Sequence, residues 1–177
     1  MQNNKNAEKT RLKAQALYPH EKWEFLEDGI FIAKSRMPRS AEQINTLKKE
    51  LRQARILVNR GSTVYLLPET PPPGVKNIKY PDAVVDGNIM EFKTITGSIR
   101  QVEARYKEAR KKTKYIFMLI NANISKHDFT RKLAGYIKKK GYTGGLISVL
   151  FVQSNEFCQW NEEKLAKSIS GQKKSGS

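Results

Sequence analysis

Two acidic residues and a lysine near the middle of the chain fall at spacings that bring their side chains together. Asp82 and Glu91 flank the dipeptide Asp86-Gly87, whose backbone suits the two-residue type I′ turn of a β-hairpin. Pairing outward from that turn places Asp82 opposite Glu91. Side chains alternate along a strand, so Lys93 projects from the same face as Glu91. The sequence therefore predicts one patch that holds two carboxylates and an ammonium group.

Such a patch has the chemistry of a metal site. Two neighbouring carboxylates repel, and a cation or a shared proton must offset their charge. Mg²⁺ takes oxygen ligands, keeps several waters and substrate phosphate oxygens, and lowers the pKa of a bound water. The simpler interpretation is a solvated salt-bridge patch of Asp82, Glu91 and Lys93. Glu91, however, lies in the apolar run 89–92, where an unpaired charge costs stability.

The charge of the chain favours nucleic acid as the partner. The 177 residues carry a formal net charge of +16. Between Lys93 and Tyr142 there are fourteen Lys or Arg residues and three Asp or Glu residues. Such a concentration of cations directly after the patch is typical of a phosphate-binding surface, although a merely basic chain would share it. The candidate phosphate contacts are Arg100, Arg105, Arg110, Lys112 and Lys114, with Thr94 and Ser98 at the edge of the site.

Composition also argues against several classes of protein. No stretch is long and apolar enough to span a membrane, and the polar start is not a signal peptide, so we expect a protein that acts in the cytoplasm. Cys158 is the only cysteine, which excludes an intrachain disulfide and a cysteine-rich zinc site. The sequence shows no run of surface aromatics that would mark a base-stacking platform. It does not choose between RNA and DNA.

The elements that must position the patch are predicted from periodicity and turn signals. Residues 1–39 read as an extension with a charged helix over 5–17 and a hairpin from Trp23 to Lys34; residues 40–164 read as the main domain, and 165–177 as a disordered tail. The predicted elements of the main domain are a helix over 40–61, a strand over 63–67, the patch hairpin, a helix over 98–112, a strand over 115–121, a helix over 125–141 and a strand over 145–153. This order predicts an α/β fold, a mixed sheet with flanking helices.

The motif and its context resemble the PD-(D/E)xK nuclease superfamily. Pro81-Asp82 and Glu91-Phe92-Lys93 match its short signature, and the elements from residue 40 to 121 follow the order of its restriction-endonuclease-like αβββαβ core. The resemblance implies Mg²⁺ or Mn²⁺ held by Asp82, Glu91 and the Phe92 carbonyl, with Lys93 orienting the water or neutralising charge. Glu50 is an additional candidate ligand, against the simpler interpretation of an exposed helix glutamate.

A narrower resemblance covers residues 40–152. The segment 66–69 (LLPE), the patch hairpin, the basic helix with Ala109 and the strand 116–120 are together similar to the C-terminal nuclease domains of contact-dependent growth inhibition (CdiA-type) toxins. That family implies cleavage of RNA, often tRNA, and an immunity protein as a partner. Met90 and Lys112 depart from it, because Trp and Gln are common at the matching positions.

Several alternatives stay open at this point. Some toxin nucleases have a barnase- or RelE-like fold and cleave RNA without metal; Glu91 would then be the base and Lys93 a stabiliser. With His20 and His127 as the only histidines, a mechanism that needs a pair of histidines is disfavoured. The chain can also be a non-catalytic nucleic-acid-binding module of a mobile element, or an interaction domain whose basic face binds an acidic inhibitor.

Overall fold

Helices and strands are distributed along the whole of the described chain. The computed structural model describes residues 2–71 and 80–168. Its helices are α1 (Gln2–Leu17), α2 (Ala41–Val58), α3 (Arg100–Arg110), α4 (Lys126–Lys140) and α5 (Glu162–Ser168). Its strands are β1 (Trp23–Glu27), β2 (Ile30–Ala33), β3 (Val64–Leu66), β4 (Ala83–Val85), β5 (Asn88–Ile95), β6 (Tyr115–Ile120), β7 (Leu146–Phe151) and β8 (Glu156–Asn161). A 3₁₀ turn covers Lys34–Arg36.

The chain divides into an N-terminal unit, Met1–Phe92, and a C-terminal unit, Lys93–Ser177. Both units combine helices with parallel and antiparallel strand pairs. The predicted α/β class with a mixed sheet and flanking helices is therefore confirmed, and the order from α2 to β6 is αβββαβ. Residues 165–168 of the predicted tail are helical, with Leu165 buried; the rest of that tail lies outside the described residues.

In the N-terminal unit the strands pair in chain order from β1 to β5. The pair β2–β3 is parallel and the other pairs are antiparallel. A parallel pair needs a crossover connection, which α2 supplies. Helix α1 packs on the sheet face where Ala14 and Tyr18 join Tyr65, Leu67 and Val84 in one apolar cluster. The N-terminal extension is thus an integral part of this unit's core.

Helix α2 begins where the sequence predicts. The Ser40 side chain accepts the N–H of Gln43, and the Gln43 side chain in turn accepts the N–H of Arg39 at 2.7 Å. This differs slightly from a standard capping box, in which the returned bond comes from the cap residue itself. The helix ends at Val58, and the predicted end at Gly61 falls in the following turn.

The patch hairpin forms in the predicted register. Ala83 faces Met90 and Val85 faces Asn88, with Asp86 (φ +48°) and Gly87 (φ +79°) in the turn. Positive φ at both central residues is what a type I′ turn requires. The Asp86 carboxylate also accepts the N–H of Thr63 at 3.1 Å, which ties the turn to the residue before β3.

The C-terminal unit, like the N-terminal unit, contains a parallel strand pair joined by a helix and flanked by an antiparallel strand. Strands β6 and β7 are parallel and joined by α4, and β8 returns antiparallel to β7. Ser125 caps α4 as predicted, by accepting the N–H of Asp128, and Gly141 ends it at φ +65°. The prediction that Ser98 caps α3 is wrong, because α3 begins at Arg100 after Ile99 and has no side-chain cap. Among the described residues no helix has the length and apolarity needed to cross a membrane.

Candidate functional site

The Asp82 carboxylate is fixed on strand β5. Its Oδ2 accepts the backbone N–H of Phe92 at 2.7 Å, directly after Glu91. The Asp82 carbonyl accepts the N–H of Leu67 at 3.0 Å, which continues the β3–β4 pairing by one residue. Asp82 is therefore held from both of its neighbouring strands, and its carboxylate lies beside the Glu91 segment as the register predicts.

Glu91 is fully buried, with 0 % of its surface exposed. The interpretation of Asp82, Glu91 and Lys93 as a solvated surface patch is therefore wrong for Glu91. Both neighbours of Glu91 in the strand, Met90 and Phe92, are also buried. A carboxylate placed in such surroundings has lost most of its hydration, which makes it expensive to keep charged. Its presence in β5 calls for a reason other than solubility.

Glu50 of α2 also belongs to this region. Its side chain is 13 % exposed and pairs with the Arg36 guanidinium at 2.5 Å. The simpler sequence-based interpretation of Glu50 as an exposed helix glutamate is therefore wrong. The pKa of Glu50 is raised to about 7: burial is the largest cause, the Arg36 charge opposes it, and the Asp82 and Glu69 charges add to the rise. Glu50 is thus within electrostatic reach of Asp82, and we call Glu50, Asp82 and Glu91 the acidic cluster.

Arg36 is a site residue that sequence reasoning missed. It is buried, and its Nη1 donates to the carbonyls of Leu67 at 2.5 Å and Asp82 at 2.8 Å. Its Nη2 donates to Glu50. One guanidinium thereby links α2 to the backbone on both sides of the strand pair that presents Asp82. The only local signal is a basic residue in a short turn between β2 and α2, which does not disclose its partners.

Lys93 follows Glu91 by two residues in the continuous strand β5 and belongs to the C-terminal unit. Its side chain is 14 % exposed, and its Nζ lies 3.7 Å from Oε2 of Glu108 on α3. Arg105 reaches the same carboxylate at 3.2 Å. Burial raises the pKa of Glu108, but Lys93, Arg105 and Lys112 outweigh it, so this pKa lies below its ordinary value. The Lys93 ammonium is accordingly held by α3 within its own unit.

The predicted phosphate contacts differ in their surroundings. Arg100, Arg105 and Lys114 are exposed, whereas Lys112 and Thr94 are half-buried and Ser98 is exposed. Arg110 instead points to a buried acid, because its Nε donates to Glu162 at 2.7 Å and its Nη2 donates to the Thr143 carbonyl at 3.0 Å. The contacts of Arg110 are thus those of a structural ion pair, while Arg100, Arg105 and Lys114 present charge to solvent.

The donors of the acidic cluster are of the kind that Mg²⁺ prefers. They are carboxylate oxygens and, beside Glu91, the Phe92 carbonyl, and Mg²⁺ is commonly held by one or two carboxylates with waters and substrate phosphates completing its shell. Within the described residues no group of three or more His, Cys, Asp or Glu side chains is arranged to hold a metal ion by itself. A Mg²⁺ ion held by Asp82 and Glu91 would therefore need water or substrate oxygens to complete its shell.

The arrangement of the acidic cluster stands without support from known relatives. No protein-family model matches the chain, and neither the curated proteins nor the solved structures give a significant match to it.

Proposed function

We propose that this protein is a metal-dependent nuclease that hydrolyses phosphodiester bonds of nucleic acid at the acidic cluster. One observation carries the proposal: the hairpin register and the Asp82–Phe92 hydrogen bond place the Asp82 carboxylate beside Glu91, and the Asp82 charge reaches Glu50. Asp82 thus lies beside the Glu91 segment and within electrostatic reach of Glu50, in an otherwise strongly basic chain. Carboxylates gathered against their mutual repulsion are characteristic of sites that bind a cation.

Asp82 and Glu91 would hold the metal ion, with the Phe92 carbonyl as a further oxygen donor and Glu50 as an outer carboxylate. When bound, Mg²⁺ or Mn²⁺ supplies Lewis acidity toward a phosphate oxygen and a water of lowered pKa. The protein supplies fixed positions: the Phe92 N–H orients Asp82, and burial immobilises Glu91. The resemblance to PD-(D/E)xK nucleases implies that Lys93 would neutralise the negative charge that develops on the phosphate.

Arg36 has a positioning task in this proposal. Its guanidinium holds the Asp82 carbonyl and the Glu50 carboxylate at the same time. It therefore fixes the backbone that carries one metal ligand and offsets the charge of a neighbouring acid. We do not assign it contact with substrate, since both Nη atoms already donate to protein oxygens at 2.5–2.8 Å.

The exposed cations Arg100, Arg105 and Lys114 would bind the phosphate backbone. Each phosphate neutralised by a cation releases counterions, so binding should weaken steeply as salt concentration rises. The resemblance to CdiA-type domains implies that the substrate is RNA, often tRNA. It also implies that an immunity protein inhibits the enzyme.

The experiment is cleavage of total tRNA and of plasmid DNA by purified protein with Mg²⁺, Mn²⁺ or EDTA, alongside Glu91→Gln and Lys93→Ala. We expect metal-dependent loss of one substrate, abolished in both variants, with circular dichroism and salt-dependent binding unchanged. Glu42→Gln, in the exposed first turn of α2, is the matched carboxylate control and should cleave normally.

Each other outcome has a defined meaning. A Glu91→Gln protein that cuts at the wild-type rate would refute the site. RNA cleavage that persists in EDTA would keep the nuclease and remove the metal. Binding without cleavage of any substrate would leave a non-catalytic nucleic-acid-binding module as the better account.

A further inference from the structure

Aromatic side chains from three strands of the N-terminal unit form a continuous row. Phe25 on β1 lies directly opposite Phe31 on β2, and Phe31 lies opposite Tyr65 on β3. The Phe31 and Tyr65 rings are stacked at 4.6 Å with an interplanar angle of 18°, and Phe25 meets Phe31 edge-on at 5.8 Å. The row runs from the edge strand toward the centre of this sheet, on the face that α1 covers.

The outer end of this row is open to solvent. Phe25 is 63 % exposed, which is unusual for a large aromatic side chain. Phe31 is half-buried, and Tyr65 at the inner end is buried. Because Phe25 is in contact with the half-buried Phe31, its exposed ring is the end of a contiguous apolar patch, and such patches commonly mark binding surfaces.

A groove of about 810 Å³ runs between this row and α1. Phe31 and Tyr65 line the groove from the sheet, and Lys5, Lys9 and Arg11 line it from α1. Phe25 is not a lining residue and adjoins the groove through its ring contact with Phe31. The volume is within the range of sites that hold small molecules or single residues of a polymer. We call this space the aromatic groove.

The charge of the aromatic groove is predominantly positive. Three cations line it and Glu8 is its one acidic lining residue, paired with Arg11 at 2.7 Å. Burial raises the pKa of the Tyr65 hydroxyl and the Arg11 charge opposes that rise, so the guanidinium lies within electrostatic reach of the ring at the groove's inner end. Cations above an aromatic floor complement a ligand that combines flat rings with anionic groups.

We propose that the aromatic groove binds a single-stranded segment of nucleic acid, with a base stacked on the Phe25–Phe31 row and the adjoining phosphates contacted by Lys5, Lys9 and Arg11. Proteins that hold unpaired nucleic acid combine a basic groove with aromatic platforms in this way. A duplex keeps its bases stacked inside and offers none to the row. The inference rests on the proposed function only for the choice of nucleic acid as ligand, and it adds the substrate class: single-stranded rather than duplex.

The sequence hides this surface because its aromatics are far apart along the chain. The sequence shows no run of surface aromatics, because the residues of the row stand at positions 25, 31 and 65. Only the pairing of β1, β2 and β3 brings these rings together.

The test is the affinity of labelled single-stranded RNA and DNA, their duplexes and abasic versions, measured by fluorescence anisotropy in the full chain carrying Glu91→Gln. Phe25→Ala is the main variant, since its exposure makes it safe for folding. The neighbouring Leu26→Ala is its matched control, because Leu26 is 37 % exposed and has no ring. Lys5→Gln is compared with Lys13→Gln on the same helix, since Lys13 does not line the groove.

We expect Phe25→Ala to weaken binding of the single strand about 5- to 150-fold, the range of one lost base stack. Removing the bases from the oligonucleotide should weaken its binding to the parent protein by a similar factor. Phe25→Ala and base removal combined should weaken binding no more than either change alone. Lys5→Gln should lower the dependence of log affinity on log salt by about one. Leu26→Ala and Lys13→Gln should change neither quantity.

The proposal is overturned if Phe25→Ala binds the single strand as tightly as its parent does. It is also overturned if Phe25→Ala weakens abasic and normal strands by the same factor, because the ring would then act only through the fold. Cleavage is measured separately on the chain with native Glu91. If that chain cleaves no nucleic acid but Phe25→Ala weakens single-strand binding, only the nuclease proposal is refuted. If it cleaves but Phe25→Ala does not weaken binding, only the groove proposal is refuted.

Discussion

The titration of Glu50 makes the electrostatics of the acidic cluster measurable as a pH dependence of stability. Its pKa rises from 4.5 to about 7 in the folded protein, chiefly through burial, with the Asp82 and Glu69 charges adding to the rise against Arg36. A proton therefore binds the folded chain more tightly than the unfolded chain. The resulting stability is fully present below pH 4.5 and is lost as the pH rises through about 7.

The magnitude follows from the difference between the two pKa values. Each unit of difference corresponds to 1.36 kcal/mol, so this carboxyl lowers the free energy of unfolding by about 3 kcal/mol between pH 4.5 and pH 8. Because its side chain is only 13 % exposed, solvent screening reduces this figure little. Glu50→Gln removes the titration while leaving an oxygen that can still accept a hydrogen bond from Arg36.

The assay is urea unfolding in EDTA, followed by circular dichroism at pH values from 4.5 to 8, on the wild type and Glu50→Gln. The stability of the variant relative to the wild type should increase by about 3 kcal/mol across that range, with most of the change between pH 4.5 and 7. Taking this difference cancels the titration of the other groups. Glu42→Gln, on an exposed turn of the same helix, should give a flat difference.

If the stability difference between Glu50→Gln and the wild type does not change with pH, Glu50 is solvated and the Asp82 charge does not affect its pKa. A difference that falls with rising pH would mean that Arg36 dominates and holds the carboxyl ionised. Either result would refute the reasoning that the acids of this cluster are held together against repulsion.

Three further substitutions test the packing and the backbone geometry of the described residues. Glu162→Leu should lower the free energy of unfolding by about 3–5 kcal/mol, because it deprives the Arg110 guanidinium, whose side chain is 13 % exposed, of its carboxylate partner; thermal unfolding with Glu42→Leu, at an exposed position of α2, as control checks this. Gly87→Ala should destabilise by about 1–3 kcal/mol, since φ there is +79°. Gly135→Ala, in the middle of α4 with open space at its Cβ position, should stabilise by about 0.5–1 kcal/mol in the same assay.

The parts of the fold that the sequence predicts well are those governed by neighbours along the chain. The Asp86-Gly87 turn fixes the hairpin register because only residues that tolerate positive φ fit there. Ser125 caps α4 through a bond to a residue three positions later. In both cases the physical cause is contained in a few consecutive residues. Ser98 shows the limit of this reasoning, because a suitable cap residue was present and the helix began two residues later without it.

The parts that the sequence does not predict depend on contacts between distant residues. Arg36 meets Leu67 across 31 positions and the Asp82 carbonyl across 46. Arg110 was a reasonable phosphate contact from its place on a basic helix, yet its partner Glu162 lies 52 residues away. No periodicity or spacing rule identifies such pairs, because their members are distant along the chain and become neighbours only in the folded structure.

The acids Glu162 and Glu50 differ in how far their surroundings offset their negative charge. The Glu162 carboxylate accepts hydrogen bonds from Arg110, from the Tyr106 hydroxyl and from the N–H of Gly145 at 2.8 Å. Several donors therefore stabilise it. Glu50 has the Arg36 guanidinium, and its pKa still rises to about 7 because burial and two nearby acids outweigh that cation. A fold that needed only a stable link would gain by removing one of those acids. Retaining negative charge at such a cost is typical of a site prepared for a positive ligand, which is why the acidic cluster, and not Glu162, is where we place the chemistry.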